Sequence, residues 1–325
     1  MLHLEDKWVW DFWFAQDGEN THIFYLQAPR SLGDPNLRHK NSTIGHAVSN
    51  DLTRWEALPD AILPSEDENA WDSLAPWTGS IIQYNKTWYM FYTGISQADN
   101  GLIQRIGLAT SNDLLHWSKH PASPLININP QWYELLDKAV WYEQAWRDPW
   151  VFEYAGKFHA LMTARTKSGQ ADGRGVIAHA SSEDLINWEV QSPITRPCGF
   201  PHLEVPQLLS INQKWYLLYS VENNRNLGEQ QPTENIETNL GTCYMMADDP
   251  CGPFAEPDNH FLFADRLAST YSGKIIKNNS GDWKFITAIQ YDSSQCFVGD
   301  ISDPIPLQID EKGQLSVVNE SAEKL

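Results

Sequence analysis

Basic residues are scarce in this 325-residue chain, with 23 Lys and Arg set against 42 Asp and Glu, for a formal net charge of −19. A phosphate backbone is gripped by clustered cations, so a nucleic-acid partner is excluded on charge. Long apolar runs are also missing, and no stretch reaches the length of a membrane span. Met1 leads directly into His3, Glu5, Asp6 and Lys7, with no apolar core of a secretory signal. Only four cysteines occur, at 198, 243, 251 and 296, and none forms a CxxC pair. No structural zinc motif is therefore expected, and free thiols in a reducing cytoplasm are. Neither HExxH nor a calcium-loop spacing appears, so no metal or other cofactor is expected. Helical periodicity is almost absent, apart from a possible turn around 131–138.

Aromatic residues, by contrast, are abundant, with 15 Trp, 12 Tyr and 12 Phe. Most suit strands and cores, and a minority could stack on the C–H face of a sugar ring. The chain also repeats itself. Gly45-His-Ala-Val-Ser-Asn-Asp-Leu-Thr-Arg-Trp55 is echoed by Gly107-Leu-Ala-Thr-Ser-Asn-Asp-Leu-Leu-His-Trp117 and again by Ile177-Ala-His-Ala-Ser-Ser-Glu-Asp-Leu-Ile-Asn-Trp188. A degraded copy follows Cys243, and a remnant follows Val298. The marker acids Asp51, Asp113, Asp184 and Asp249 stand 62, 71 and 65 residues apart.

Ahead of each marker lies an apolar hairpin, such as Thr87-Trp-Tyr-Met-Phe-Tyr-Thr93 or Lys214-Trp-Tyr-Leu-Leu-Tyr-Ser220. Polar turns precede these runs, Asp17-Gly18 and Asn85-Lys86 among them, as hairpins require. Four antiparallel strands repeated five times predict an all-β, five-bladed β-propeller filling residues 1–325 as one domain. The Ser-Asn-Asp-Leu-x-x-Trp motif reads as structural: Asp and Asn cap turn amides, and Trp packs between blades.

The first strand of each propeller blade faces the central channel. These strands are anchored near Asp11, Gly79, Asp148, Glu204 and Gly273, read here as equivalent positions. Three of the five carry carboxylates, which are costly to bury without a purpose. Crowded acids split their proton affinities, so one can serve as general acid while another stays ionised. Glycosidic cleavage needs that division. Each acid also has a structural alternative. Asp11 could accept backbone hydrogen bonds, Asp148 could pair with Arg147, and Glu204 could pair with Arg196 or His202.

The segment Gly45–Pro64, followed by Trp77-Thr-Gly-Ser80, closely resembles glycoside hydrolase family 32, as do Arg147-Asp148-Pro149 and Phe24-Tyr-Leu-Gln27. Two motifs depart from it. Trp10-Asp11-Phe12-Trp13 stands where that family has Asn-Asp-Pro-Asn-Gly and is more like the Trp-Asp of family 68, and Glu204-Val205 replaces Glu-Cys. The sequence ends after blade five, without the usual C-terminal β-sandwich.

The resemblance implies a retaining β-fructofuranosidase acting on sucrose or fructo-oligosaccharides, with transfer to a second sugar also open. Asp11 would be the nucleophile, Glu204 the acid/base and Asp148 a stabiliser bound to ring hydroxyls. Arg147 would orient Asp148 or the sugar, while Gln27, Trp77 and Thr78 would line the sugar pocket. Two alternatives stand beside it: an inverting arabinofuranosidase or xylosidase like those of family 43, and a sugar-binding propeller without activity. A gap of about 5–5.5 Å between Asp11 and Glu204 would mark retention, and about 6.5–9.5 Å inversion.

Overall fold

The computed structural model describes residues 1–222, 240–264 and 269–318. Its strands form five antiparallel sheets in chain order. The first blade is β1 (Lys7–Asp17), β2 (Asn20–Pro29), β3 (Thr43–Ser49) and β4 (Glu56–Ile62), and the second is β5 (Ala75–Tyr84), β6 (Thr87–Ile95), β7 (Arg105–Ser111) and β8 (Ser118–Lys119). The third is β9 (Trp146–Tyr154), β10 (Lys157–Arg165), β11 (Gly175–Ser182) and β12 (Trp188–Gln191). The fourth is β13 (Glu204–Ile211), β14 (Lys214–Val221), β15 (Gly241–Ala247) and β16 (Phe261–Phe263).

The fifth departs from the four-strand pattern. β17 (Thr270–Lys277) and β18 (Trp283–Tyr291) are followed by β19 (Phe297–Ile301), β20 (Ile305–Ile309) and β21 (Leu315–Val317). Both β19 and β20 pair with β18. Pro304 falls in the break between them, where its missing N–H cannot continue a ladder.

Blades become propellers because their strands are apolar on both faces. In Met90-Phe-Tyr92, Met90 and Tyr92 pack toward the first blade, and Phe91 packs toward the third. Continuous apolar runs of this kind mark strands buried on both sides. Five hydrophobic clusters result, one in each gap between neighbouring blades. The ring is sealed by Leu2 and Ile301, whose backbones exchange hydrogen bonds of 2.9 and 3.0 Å.

The repeated Ser-Asn-Asp-Leu turn is structural in detail. Asp184 Oδ1 accepts from the amides of Ile186 (2.9 Å) and Asn187 (2.7 Å), and Asp113 Oδ1 does the same for Leu115 and His116. Leu52, Leu114 and Leu185 adopt left-handed φ of 63–65° and bury their side chains between blades. Trp117 and Trp188 each donate Nε1 to the carbonyl of that leucine. The segment 131–138 is irregular, and the described helices are three short 3-10 turns.

Candidate active site

Every inner strand loses register with its partner at the same height. The breaks fall between Val9 and Phe12, Trp77 and Gly79, Glu204 and Gln207, and Tyr271 and Lys274; in the third blade the break spans Asp148 and Pro149. A bulge re-aims the side chains at its step and is common beside active sites. Asp148, Val205 and Ser272 take left-handed φ of 59°, 52° and 56° there. Such backbone is strained for any residue with a Cβ, and most of all for β-branched Val205.

This alignment corrects the expected equivalence at three positions, since Gly79 and Gly273 lie one residue past the bulge positions of their strands. Asp11 and Asp148 occupy equivalent bulge positions with Thr78, Val205 and Ser272, but Glu204 lies one residue earlier. Glu204 aligns instead with Trp10, Trp77, Arg147 and Tyr271. The carboxylates thus come from two adjacent tiers.

All three acids line one cavity of about 390 Å³, together with Arg147, Trp77 and Thr78. Thr78 Oγ1 donates to Asp11 Oδ2 at 2.8 Å. Asp148 Oδ2 accepts from Thr163 Oγ1 at 2.8 Å and from the Val205 amide at 3.2 Å. Arg147 carries the densest set of contacts. It donates to Glu204 Oε1 at 2.5 Å, Glu143 Oε1 at 2.9 Å and Gln104 Oε1 at 3.0 Å, with its Nε 3.6 Å from Asp148. Tyr271 donates its hydroxyl to the other Glu204 oxygen at 2.5 Å.

Burial pushes the Asp11 carboxyl above its ordinary value, opposed by the Thr78 hydrogen bond and reinforced by Glu204. Burial likewise raises Asp148 to about 7, with Arg147 opposing and the charges of Asp11 and Glu204 adding. Tyr271 is raised well above its usual value by burial and by Glu204, which leaves it a donor. Burial, then Arg147, pushes His202 far down, so the imidazole beside Glu204 is neutral and forms no ion pair with it.

Gln27 is not part of the cavity. It is buried at 2% exposure, donating to Asp60 Oδ1 at 2.6 Å and Thr43 Oγ1 at 3.2 Å. Successive strand residues face opposite ways, and it is Leu26 that reaches the pocket. Trp77 forms wall, its Nε1 fixed to the His39 carbonyl at 2.6 Å. Tyr271, Glu143 and Gln104 were missed from sequence. Tyr271 alone carried a signal, since it occupies the blade-five place that Arg147 and Glu204 hold in theirs.

One group among the described residues has metal-ligand spacing, His159, His179 and Cys251, contributed by three separate segments and so invisible as a motif. His159 Nδ1 lies 2.9 Å from His179 Nε2. The first blade repeats that contact with His22 and His46 at 2.8 Å and no thiol. Its recurrence without sulfur identifies the pair as a hydrogen-bonded strap between strands.

Residues 14–296 match the glycosyl hydrolases family 32 N-terminal domain. The chain belongs to glycoside hydrolase family 32. Among curated relatives, sucrose-6-phosphate hydrolase of Bacillus subtilis is 26% identical over 208 residues, 61% of this chain and 38% of the relative. Sucrose:sucrose 1-fructosyltransferase of Festuca arundinacea is 30% identical over 178 residues, 52% and 24% of the two chains. The family 32 chain described here thus matches well under half the length of these relatives. Among solved structures, inulosucrase of Halalkalicoccus jeotgali bound to kestose superposes with a TM-score of 0.77 at 19% identity, covering 97% of this chain and 87% of that one. A Bombyx mori family 32 β-fructofuranosidase gives 0.72 at 20% identity, covering 100% and 65%. These superpositions establish the shared propeller.

Proposed function

We propose that this family 32 propeller is a retaining β-fructofuranosidase, cleaving the fructosyl bond of sucrose or fructo-oligosaccharides and able to pass fructose to a sugar acceptor. The observation that carries the reading is the convergence of Asp11, Asp148 and Glu204 on one cavity, with Glu204 clamped at both oxygens by Arg147 and Tyr271. The names of its relatives, hydrolases and transferases of sucrose, support the choice of sugar.

In this mechanism Glu204 gives a proton to the leaving oxygen as Asp11 attacks the anomeric carbon, and a covalent ester forms. Glu204 then takes a proton from water, or from a sugar hydroxyl, as the ester opens. Only one oxygen of Asp11 is committed to Thr78, which leaves the other for attack. Asp148, poised near neutrality, can both donate to and accept from the hydroxyls of the bound ring. Arg147 fixes Glu204 and spreads positive charge between it and Asp148. The reading includes a reducing, cytoplasmic setting, supported by four cysteines that are all free.

The deciding experiment follows sucrose and inulin turnover by NMR. Release of fructose whose first-formed anomer retains the β configuration supports the reading. Inverted product, or release of arabinose or xylose from aryl pentosides with fructosides untouched, overturns it.

A further inference from the structure

A buried lysine stands behind the carboxylates. Lys274 lies on β17, two residues past the bulge at Ser272, and is only 2% exposed. Its ammonium donates to the Val205 carbonyl at 2.5 Å and makes no ion pair within 4 Å among the described residues. It does not line the cavity. An ammonium removed from water without a direct counterion is costly, and replacement by an apolar side chain of similar length would ordinarily be favoured. Its retention has to be compensated by charge nearby. The charges acting on it are Asp11 from the first blade and Asp148 from the third.

We propose that Lys274 is a positioning residue for the reaction assigned above: a fixed cation, aimed by the Val205 carbonyl, that favours the anionic Asp11 the chemistry uses. The proposal rests on the β-fructofuranosidase reading. Two opposed forces act on Asp11. Burial favours its neutral acid, which cannot attack, and the ammonium behind it favours the carboxylate. The same charge serves the second half of the reaction. When the ester opens, the C–O bond breaks with its electron pair returning to the Asp11 oxygen, and the cation stabilises the carboxylate that leaves. Lys274 is itself held down to about 8 by burial, so the cation is present through neutral pH and lost above it. Its anchor bears on the third acid as well, because Val205 is the strained residue that follows Glu204.

Two variants separate charge from anchoring. Lys274→Gln keeps an N–H for the Val205 carbonyl and removes the charge, whereas Lys274→Met removes both. Each is assayed on sucrose for the pH dependence of kcat/KM, with thermal melts to verify folding. Carbon-13 NMR of aspartate-labelled protein, assigned with Asp11→Asn and Asp148→Asn, follows the carboxyl titrations without substrate. The expected result is that both variants hold the Asp11 proton to higher pH and displace the acid limb upward, losing about tenfold in kcat/KM at pH 5 relative to their plateaus. A Lys274→Gln enzyme with the wild-type acid limb and wild-type carboxyl titrations overturns the proposal, leaving Lys274 a backbone anchor. Should the wild type cleave no fructoside, the assigned reaction falls, and the titrations still decide the role of the lysine.

Discussion

Tyr271 and Glu204 meet across the boundary between the fifth and fourth blades, hydroxyl to carboxylate oxygen, at 2.5 Å. Two inner strands that share no ladder thus fix one carboxylate of the cavity. A hydrogen bond to a charged partner contributes about 1.5–3 kcal/mol. Tyr271→Phe is therefore expected to lower kcat roughly ten- to a hundredfold, with Tm nearly unchanged because the ring still fills its space. Steady-state kinetics and a thermal melt on the same sample test this, and full activity in the variant would remove Tyr271 from the site.

Asp11→Asn keeps shape and an acceptor for the Thr78 hydroxyl while removing the carboxylate proposed as nucleophile. Turnover is expected to fall to near background with sugar binding retained, as isothermal titration with sucrose would show. Activity close to that of the wild type would displace Asp11 from the nucleophile role.

Glu204→Gln is expected to spare substrates with good leaving groups, which need little protonic help. The water step then becomes limiting, and azide should restore turnover as a fructosyl azide of retained configuration. Equal loss on good and poor leaving groups, with no azide product, would strip Glu204 of the acid/base role.

Asp148 gives the fold a pH signature. Its carboxyl is raised to about 7, so the folded chain holds a proton that the unfolded chain releases near 4. The associated stability is present in full below that lower value and is lost as pH rises through 7. It amounts to at most about 4 kcal/mol. Asp148→Asn removes the titration yet can still accept from Thr163 and Val205. Its Tm should match the wild type near pH 4 and exceed it at pH 8, as scanning calorimetry can measure. A Tm difference independent of pH would contradict this account.

The propeller was legible because its signals are local. Hairpin turns, doubly apolar strands and the Ser-Asp-Leu turn each act within a few residues, and the three carboxylates sit on strands that such signals locate. The one-residue register breaks were not legible. A bulge is decided by packing against the next strand, so Glu204 was aligned with Asp11 when it belongs one step earlier. Gln27 failed for a related reason: a motif match finds the strand, but the side facing the pocket depends on register. Lys274 and Tyr271 looked like an ordinary strand lysine and core aromatic, since only packing between blades brings them to the site.

The Leu2–Ile301 seam has a temporal meaning. Asp11 belongs to the first blade and Tyr271 and Lys274 to the last, so Asp11 joins the side of the cavity that the fifth blade borders only once residue 301 docks beside residue 2. Before that moment the first blade presents Val9 and Phe12, with no fifth blade to cover them. The cavity is therefore complete only when the first and fifth blades have met. Parting this one seam would take Asp11 away from the cavity while the contacts between the second, third and fourth blades stayed in place.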